Sequence, residues 1–310
     1  MSEYPPDTFT IEYPYSVKKI SSYTYCIIEN DDISWNPLIY LINSTKKALL
    51  IDTGSDTANL KAFLFSSGLI NSVQKLIVVN THSHPQQASG GYLFSTTGAR
   101  GLADQVEAYC ASEEFNNSSQ VNNTGFEWQV KTYKVTRWLS HNDVLLLGSG
   151  KDCSNKVRVF HTPGHTPDSI TLWYECDRRL FLGDLFYRFD DILMMYETSS
   201  LKHLENSVRW LVTFVSQFEK SNQCLVKYSS AKSEPDGKCL PALKNYHRFL
   251  LSIIAGTHYK LPTQVSDLDA VKYETRNKDM SLIISNEMNN ELIEAQRKVE
   301  EHPPEQTSVS

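Results

Sequence analysis

The chain has 310 residues, 40% hydrophobic and 11% aromatic, enough apolar surface for one large core or two modest ones. A formal charge of -6, with no Lys/Arg run interleaved with aromatics, argues against nucleic acid as a partner. No stretch approaches the roughly 18 uninterrupted apolar residues of a membrane span, and MSEYPPDTFTIEYPY lacks the basic and apolar regions of a leader, so a cytoplasmic location is expected.

In chain order, TYCIIEN, PLIYLIN and ALLIDTG read as strands, with a turn at NSTKK. LKAFLFSSGLI has helical spacing and ends near Gly68, and KLIVVNTH is an apolar, β-branched run of the buried-strand kind. ADQVEAYCASEEF (103–115) is expected to be a second helix, followed by the polar loop NNSSQVNNTG. VLLLGSG, KVRVFHTPGH, SITLWYE and RLFLGDLFY then imply a second sheet. Residues 201–220 and 241–256 are amphipathic helical patterns suited to covering sheets. From about residue 265 the chain turns polar, with one helical pattern (NNELIEAQRKVEE) and a disordered-type end, HPPEQTSVS. The expected division is an extension over 1–20, one domain over 21–265, and a partly helical or disordered tail over 266–310. No solenoid repeat is present.

Six cysteines are scattered without CxxC pairs and read as buried free thiols. The sequons at Asn43, Asn117 and Asn122 lack an export signal and read as chance.

Chemistry concentrates where apolar strands stop. One strand runs into His82 and His84, whose i, i+2 spacing lets two imidazoles converge from a loop. KVRVFHTPGHTPDS places His161 and His165 around Pro163-Gly164, and RLFLGD puts Asp184 at a third strand end. Loops at one end of a sheet are where sites are built, and packing alone does not place polar ligands after each apolar run. Neutral imidazole suits zinc, and a catalytic zinc needs three protein ligands and an open position. His161 reads as a strand or supporting residue rather than a ligand, and Asp52 as a structural carboxylate in a turn.

These residues resemble the metallo-β-lactamase superfamily. THSHPQQASGG is similar to its HxHxDHxGG motif, HTPGHT to its second histidine motif, FLGDLFY to its strand-to-aspartate motif, and LLIDTG to the strand whose aspartate supports the metal loop. The four ordered motifs fall within residues 25 to 260. The lone-domain layout, SSGLI and the C-terminal helices look most like the branch with acyl-coenzyme A thioesterase activity. The resemblance implies an α+β fold: a four-layer αββα sandwich of two mixed sheets flanked by helices. It also implies His82, His84 and His165 as ligands of a first metal, with Asp184 as bridging carboxylate. The second metal's ligands are missing. Gln86 and Gln87 stand where Asp and His belong, Ser89 replaces a glycine, and QCLVKYSS (223–230) brings no late histidine; His247 sits too far into the next helix.

A single zinc ion is therefore expected. Losing the two-metal clamp harms phosphoester chemistry most, whereas an ester or thioester needs one polarised carbonyl. Gln86, a neutral amide, cannot act as a general base, which leaves Asp184. The resulting expectation is a mononuclear zinc hydrolase of a small-molecule ester or thioester, with acyl-coenzyme A as one candidate. The alternative is a non-catalytic descendant that binds no metal and uses its pocket for a ligand or protein partner. FEWQVKTYKVTRWL is expected to form a lid over an acyl chain.

Overall fold

A computed structural model describes residues 13–31, 35–71, 73–94, 106–110, 133, 135–149 and 152–301. β1 (Tyr15–Lys19), β2 (Thr24–Glu29), β3 (Leu38–Asn43) and β4 (Lys47–Ile51) form an antiparallel meander. Helix α1 (Leu60–Ser66) starts where the Asn59 side chain accepts from the Ala62 N–H. It crosses to β5 (Lys75–Val79), which lies parallel to β4, and the short helix α2 (Pro85–Ala88) follows. β6 (Val106–Cys110) and β7 (Arg137–Trp138) extend this seven-stranded sheet in parallel.

The second sheet begins with β8 (Val144–Leu146), β9 (Lys156–His161), β10 (Ile170–Tyr174) and β11 (Arg179–Phe181), all antiparallel neighbours. After β12 (Asp191–Met194) and helix α3 (Leu201–Asn222), β13 (Lys227–Ser229) joins β11 in parallel and β14 (Gly237–Lys238) closes the edge. Helix α4 (Cys239–Ile254) follows.

The layers are legible in what each apolar cluster contains. Ile42, Leu49, Ile51 and Val79 of the first sheet meet Val157, Val159, Leu172 and Phe181 of the second in a central core. The outer face of the first sheet packs on Leu60 and Leu64 of α1. The outer face of the second packs on Leu204, Val208 and Leu211 of α3 and on Leu243, Tyr246 and Leu250 of α4. This is the expected helix–sheet–sheet–helix sandwich of two mixed sheets.

Four readings need correction. Residues 106–110 form a strand, not part of a helix over 103–115, because β5 offers a parallel edge and pairing overrides the local pattern. Residues 15–19 are not an extension but the first strand, paired with β2 along their length. A third sheet is added to the two of the sandwich. β15 (Lys260–Val265), β16 (Leu268–Glu274) and β17 (Ser281–Ser285) join β12 in a four-stranded sheet, with α5 (Asn286–Glu301) packed against β16 and β17. The stretch read as a polar tail thus belongs to the body: Val271, Tyr273, Leu282 and Ile284 are buried in the same cluster as α3 and α4. Finally, of the cysteines described, Cys26 and Cys239 are buried, Cys176 and Cys224 half-buried and Cys153 exposed.

The asparagine-rich loop with Asn117 and Asn122, residues 126–132 of the expected lid and the HPPEQTSVS end lie outside the described residues. No helix among the described residues is long and apolar enough to cross a membrane. Leu282 is fully buried. Leu282→Ala is expected to cost about 2–5 kcal/mol in denaturant unfolding, whereas an appended tail would unfold without touching the main transition.

Candidate metal centre

The site forms where both sheets end on the same side. Asp52 follows β4 with φ of 66° and sits next to the loop that follows β5, because its N–H donates to the Val79 carbonyl at 2.8 Å. Residues 80–84 then leave β5. The two sheets are tied at this point by the Ile170 N–H, which donates to the Thr81 carbonyl at 2.8 Å. Gly183, with φ of 56°, brings the turn after β11 so close that a Cβ there would run into the Thr81 side chain.

The turn between β9 and β10 is held by α3. The Ser200 N–H donates to the Gly164 carbonyl at 2.8 Å, Ser207 Oγ to Pro163 O at 2.7 Å, and Ser199 Oγ to His165 O at 2.7 Å. Gly164 packs directly on the backbone of Leu204, where no side chain fits.

These elements bring three histidines to one point. His84 Nδ1 lies 3.1 Å from His82 Nε2 and 2.9 Å from His165 Nε2. The three inward nitrogens lie within 4.8 Å of one another, and all three side chains are buried. The rings stand nearly perpendicular, at 79°, 88° and 83°, with centroids 4.7–4.9 Å apart. Tetrahedral zinc–nitrogen bonds of about 2.0–2.1 Å would set their ligand atoms about 3.3 Å apart. The two close nitrogen pairs are near that spacing.

Burial pushes His165 down to about 3 and holds His82 and His84 well below the ordinary imidazole range, the neighbouring rings adding to the effect for these two. All three are therefore neutral at neutral pH, the form that binds a metal. The tautomer of His82 follows from its neighbours: Thr81 Oγ1 donates to the Asp52 carboxylate at 3.0 Å and lies 3.2 Å from His82 Nδ1. With its own hydrogen committed to Asp52, Thr81 accepts the Nδ1–H, and Nε2 keeps its lone pair for the cluster. Asp52 also accepts the Thr81 N–H at 2.6 Å, while burial keeps its pKa well above the usual carboxylate value.

Asp184 Oδ2 stands 3.5 Å from His165 Nε2 and 3.7 Å from His82 Nε2. Burial pushes its pKa up to about 7, against the Lys232 ammonium, which lowers it. Its other oxygen accepts from Gln87 Nε2 at 3.2 Å. Gln87 is buried, whereas Gln86 is half-buried on the wall of the adjoining pocket. His161 stays outside the cluster, with Nε2 2.8 Å from the Pro167 carbonyl of the same turn, and His247 pairs with Glu205 on α3.

Two residues escaped the reading of motifs. Tyr196 lies over the His84 ring with centroids 3.9 Å apart, and Lys232 lines the pocket while pairing with Asp190 at 2.8 Å. Both follow the ends of short strands, a weak signal that no motif amplifies. Trp35, Pro37, Leu193 and Tyr196 supply the pocket's apolar wall, and Gln86, Asp184, Asp190 and Lys232 its polar one.

Known proteins resemble this chain in sequence and fold. Two curated relatives, the proteins named acyl-coenzyme A thioesterase MBLAC2 of Homo sapiens and of Bos taurus, are each 28% identical over 169 residues. The match covers 48% of this chain and 58% of theirs, so it spans little more than half the length of those relatives. Among solved structures, the metallo-beta-lactamase from Pontibacter korlensis has a TM-score of 0.57 at 16% identity, covering 76% of this chain and 99% of that one. The DIM-1 metallo-beta-lactamase has 0.53 at 15% identity, covering 78% and 100%. At such identities the likeness concerns the fold. Residues 35–215 match the family described as the metallo-beta-lactamase superfamily, and to that superfamily this chain belongs.

Proposed function

We propose that the chain is a metal-dependent hydrolase of an ester or thioester, holding one zinc ion through His82, His84 and His165. The observation that carries this reading is the buried convergence of His82 Nε2, His84 Nδ1 and His165 Nε2. Acyl-coenzyme A is the favoured substrate class, on the strength of the names of the curated relatives.

The donor set fits one ion. Three neutral imidazoles suit zinc, and Asp184 Oδ2 approaches two of them. On the family's motif the second position reads Gln86 and Gln87, neutral amides, and QCLVKYSS (223–230) brings no late histidine. When bound, the cation supplies Lewis acidity that polarises the carbonyl under attack and acidifies water. Asp184, beside the cluster and lining the pocket, is the residue placed to accept a proton from the attacking water and return it to the leaving thiolate or alkoxide. Gln87 holds its Oδ1, leaving Oδ2 toward the histidines. Trp35, Leu193 and Tyr196 give the first carbons of an acyl group an apolar wall. The second reading, a binding protein without turnover, is favoured by the Gln87 amide lying against Asp184.

Protein purified without chelator is expected to carry about one zinc per chain, and to hydrolyse acyl-coenzyme A esters in a manner abolished by the His82→Ala/His165→Ala double change. Fewer than about 0.2 zinc per chain, or turnover indifferent to the double change, would rule out the hydrolase. Stoichiometric zinc without turnover of any ester would instead leave the binding reading. Thr81→Val, which keeps the shape but not the hydroxyl, is expected to weaken zinc affinity about 10-fold or more in chelator competition. Unchanged affinity would remove the Asp52–Thr81–His82 relay from the account.

A further inference from the structure

Away from the histidine cluster, two thiols meet at the open end of the hairpin whose tip carries His165. Cys153 begins the turn Cys153–Asn155 just before β9, and Cys176 lies in the turn Glu175–Asp177 just after β10. The antiparallel register through Trp173↔Arg158, continued outward, sets Cys176 across from Asn155, two residues from Cys153. Tyr174 Oη donates to the Ser154 carbonyl at 3.2 Å, binding one turn to the other. The two turns pack on each other, the Cys153 thiol acts on the Cys176 thiol, and both cysteines are free.

We propose that Cys153 and Cys176 are a thiol pair that closes to an intramolecular disulfide by exchange with a small-molecule disulfide such as oxidised glutathione. Cys153, the exposed member, reacts first. Its thiolate attacks one sulfur of the small disulfide, forming a mixed disulfide and expelling a thiolate. The Cys176 thiolate then attacks Sγ of Cys153, forming the internal S–S bond and expelling the second small thiolate. The two cysteines are oxidised, the small disulfide is reduced to two thiols, and the two protons lost by the cysteines end on those thiols.

Cys176, the half-buried member, takes the second step. Burial and the facing Cys153 thiol push it up to about 12, and the second of these influences disappears once Cys153 is in the mixed disulfide. Asp177 beside Cys176 adds to the burial that disfavours its thiolate, which makes the pair a slow exchanger rather than a catalyst. The closed bridge would staple the base of the β9–β10 hairpin.

The test is to incubate the full chain with oxidised glutathione, alkylate the remaining thiols and map the peptides by mass spectrometry. The expected product is a peptide pair joined through Cys153 and Cys176, lighter by two hydrogens than the reduced pair. In Cys176→Ser, Cys153 should instead retain glutathione. Wild-type chain that keeps glutathione on Cys153 as fully as this variant does, or that leaves both thiols open to alkylation, would overturn the proposal. The wild-type map decides the question even where the variant folds poorly.

Discussion

Three imidazoles buried against one another are the constraint on which the rest of this structure depends. Their removal from water disfavours any charge on them, and each neutral ring offers only one hydrogen for two nitrogens. A stable arrangement therefore needs each ring's orientation fixed by something outside the cluster. For His82 that is the relay through Thr81 to Asp52; for His84 it is the Tyr196 face; for the turn bearing His165 it is the N-terminal end of α3. The relay and the Tyr196 face come from β4, β5 and the chain after β12, and the α3 brace from the second sheet's outer cover. The site thus draws on the whole sandwich at once, and this explains why Gly164 and Gly183 sit where backbone must approach backbone or side chain without a Cβ.

Much of this was legible in the sequence because the chemistry sits at the ends of strongly apolar strands. Val78 and Val79 before His82, Val159 and Phe160 before His161, and Leu180 to Leu182 before Asp184 are runs whose burial is nearly forced by composition. A polar residue after each run has to emerge at a sheet edge. What composition could not supply was the side of the cluster formed by Tyr196 and Lys232. Their strands are short, their neighbours are ordinary, and their place depends on β12 reaching β17 and on β13 reaching β11.

The C-terminal sheet shows the same limit from another direction. LDAVKYE has only Ala270, Val271 and Tyr273 buried, and KLPTQV has none, so local hydrophobicity resembles that of a polar tail. These strands exist because β17 lies parallel to β12, more than eighty residues earlier, and gives them an edge to join. The strand at 106–110 likewise depends on β5 as a template rather than on its own pattern. Long-range pairing is the information a window of sequence lacks.

The surroundings of Asp184 are tied into the fold on both sides. Gln87 Nε2 donates to Asp184, and its backbone carbonyl accepts from the Thr53 N–H at 2.7 Å, while its buried Oε1 makes no hydrogen bond among the described residues. The other flank is equally occupied. Arg179, buried, donates to Ser229 and pairs with Asp236 at 2.7 Å, while Tyr40 Oη donates to the Ser230 carbonyl at 2.6 Å. Arg188 pairs with Glu234, fixing the far end of the same loop. Lys232, carried on that loop, places a positive charge near Asp184. An amide on one side and an ammonium on the other thus support the charge on this carboxylate. New ligands on that loop would require changing it and its arginine clamps together, because Ser229, Ser230, Glu234 and Asp236 already have partners.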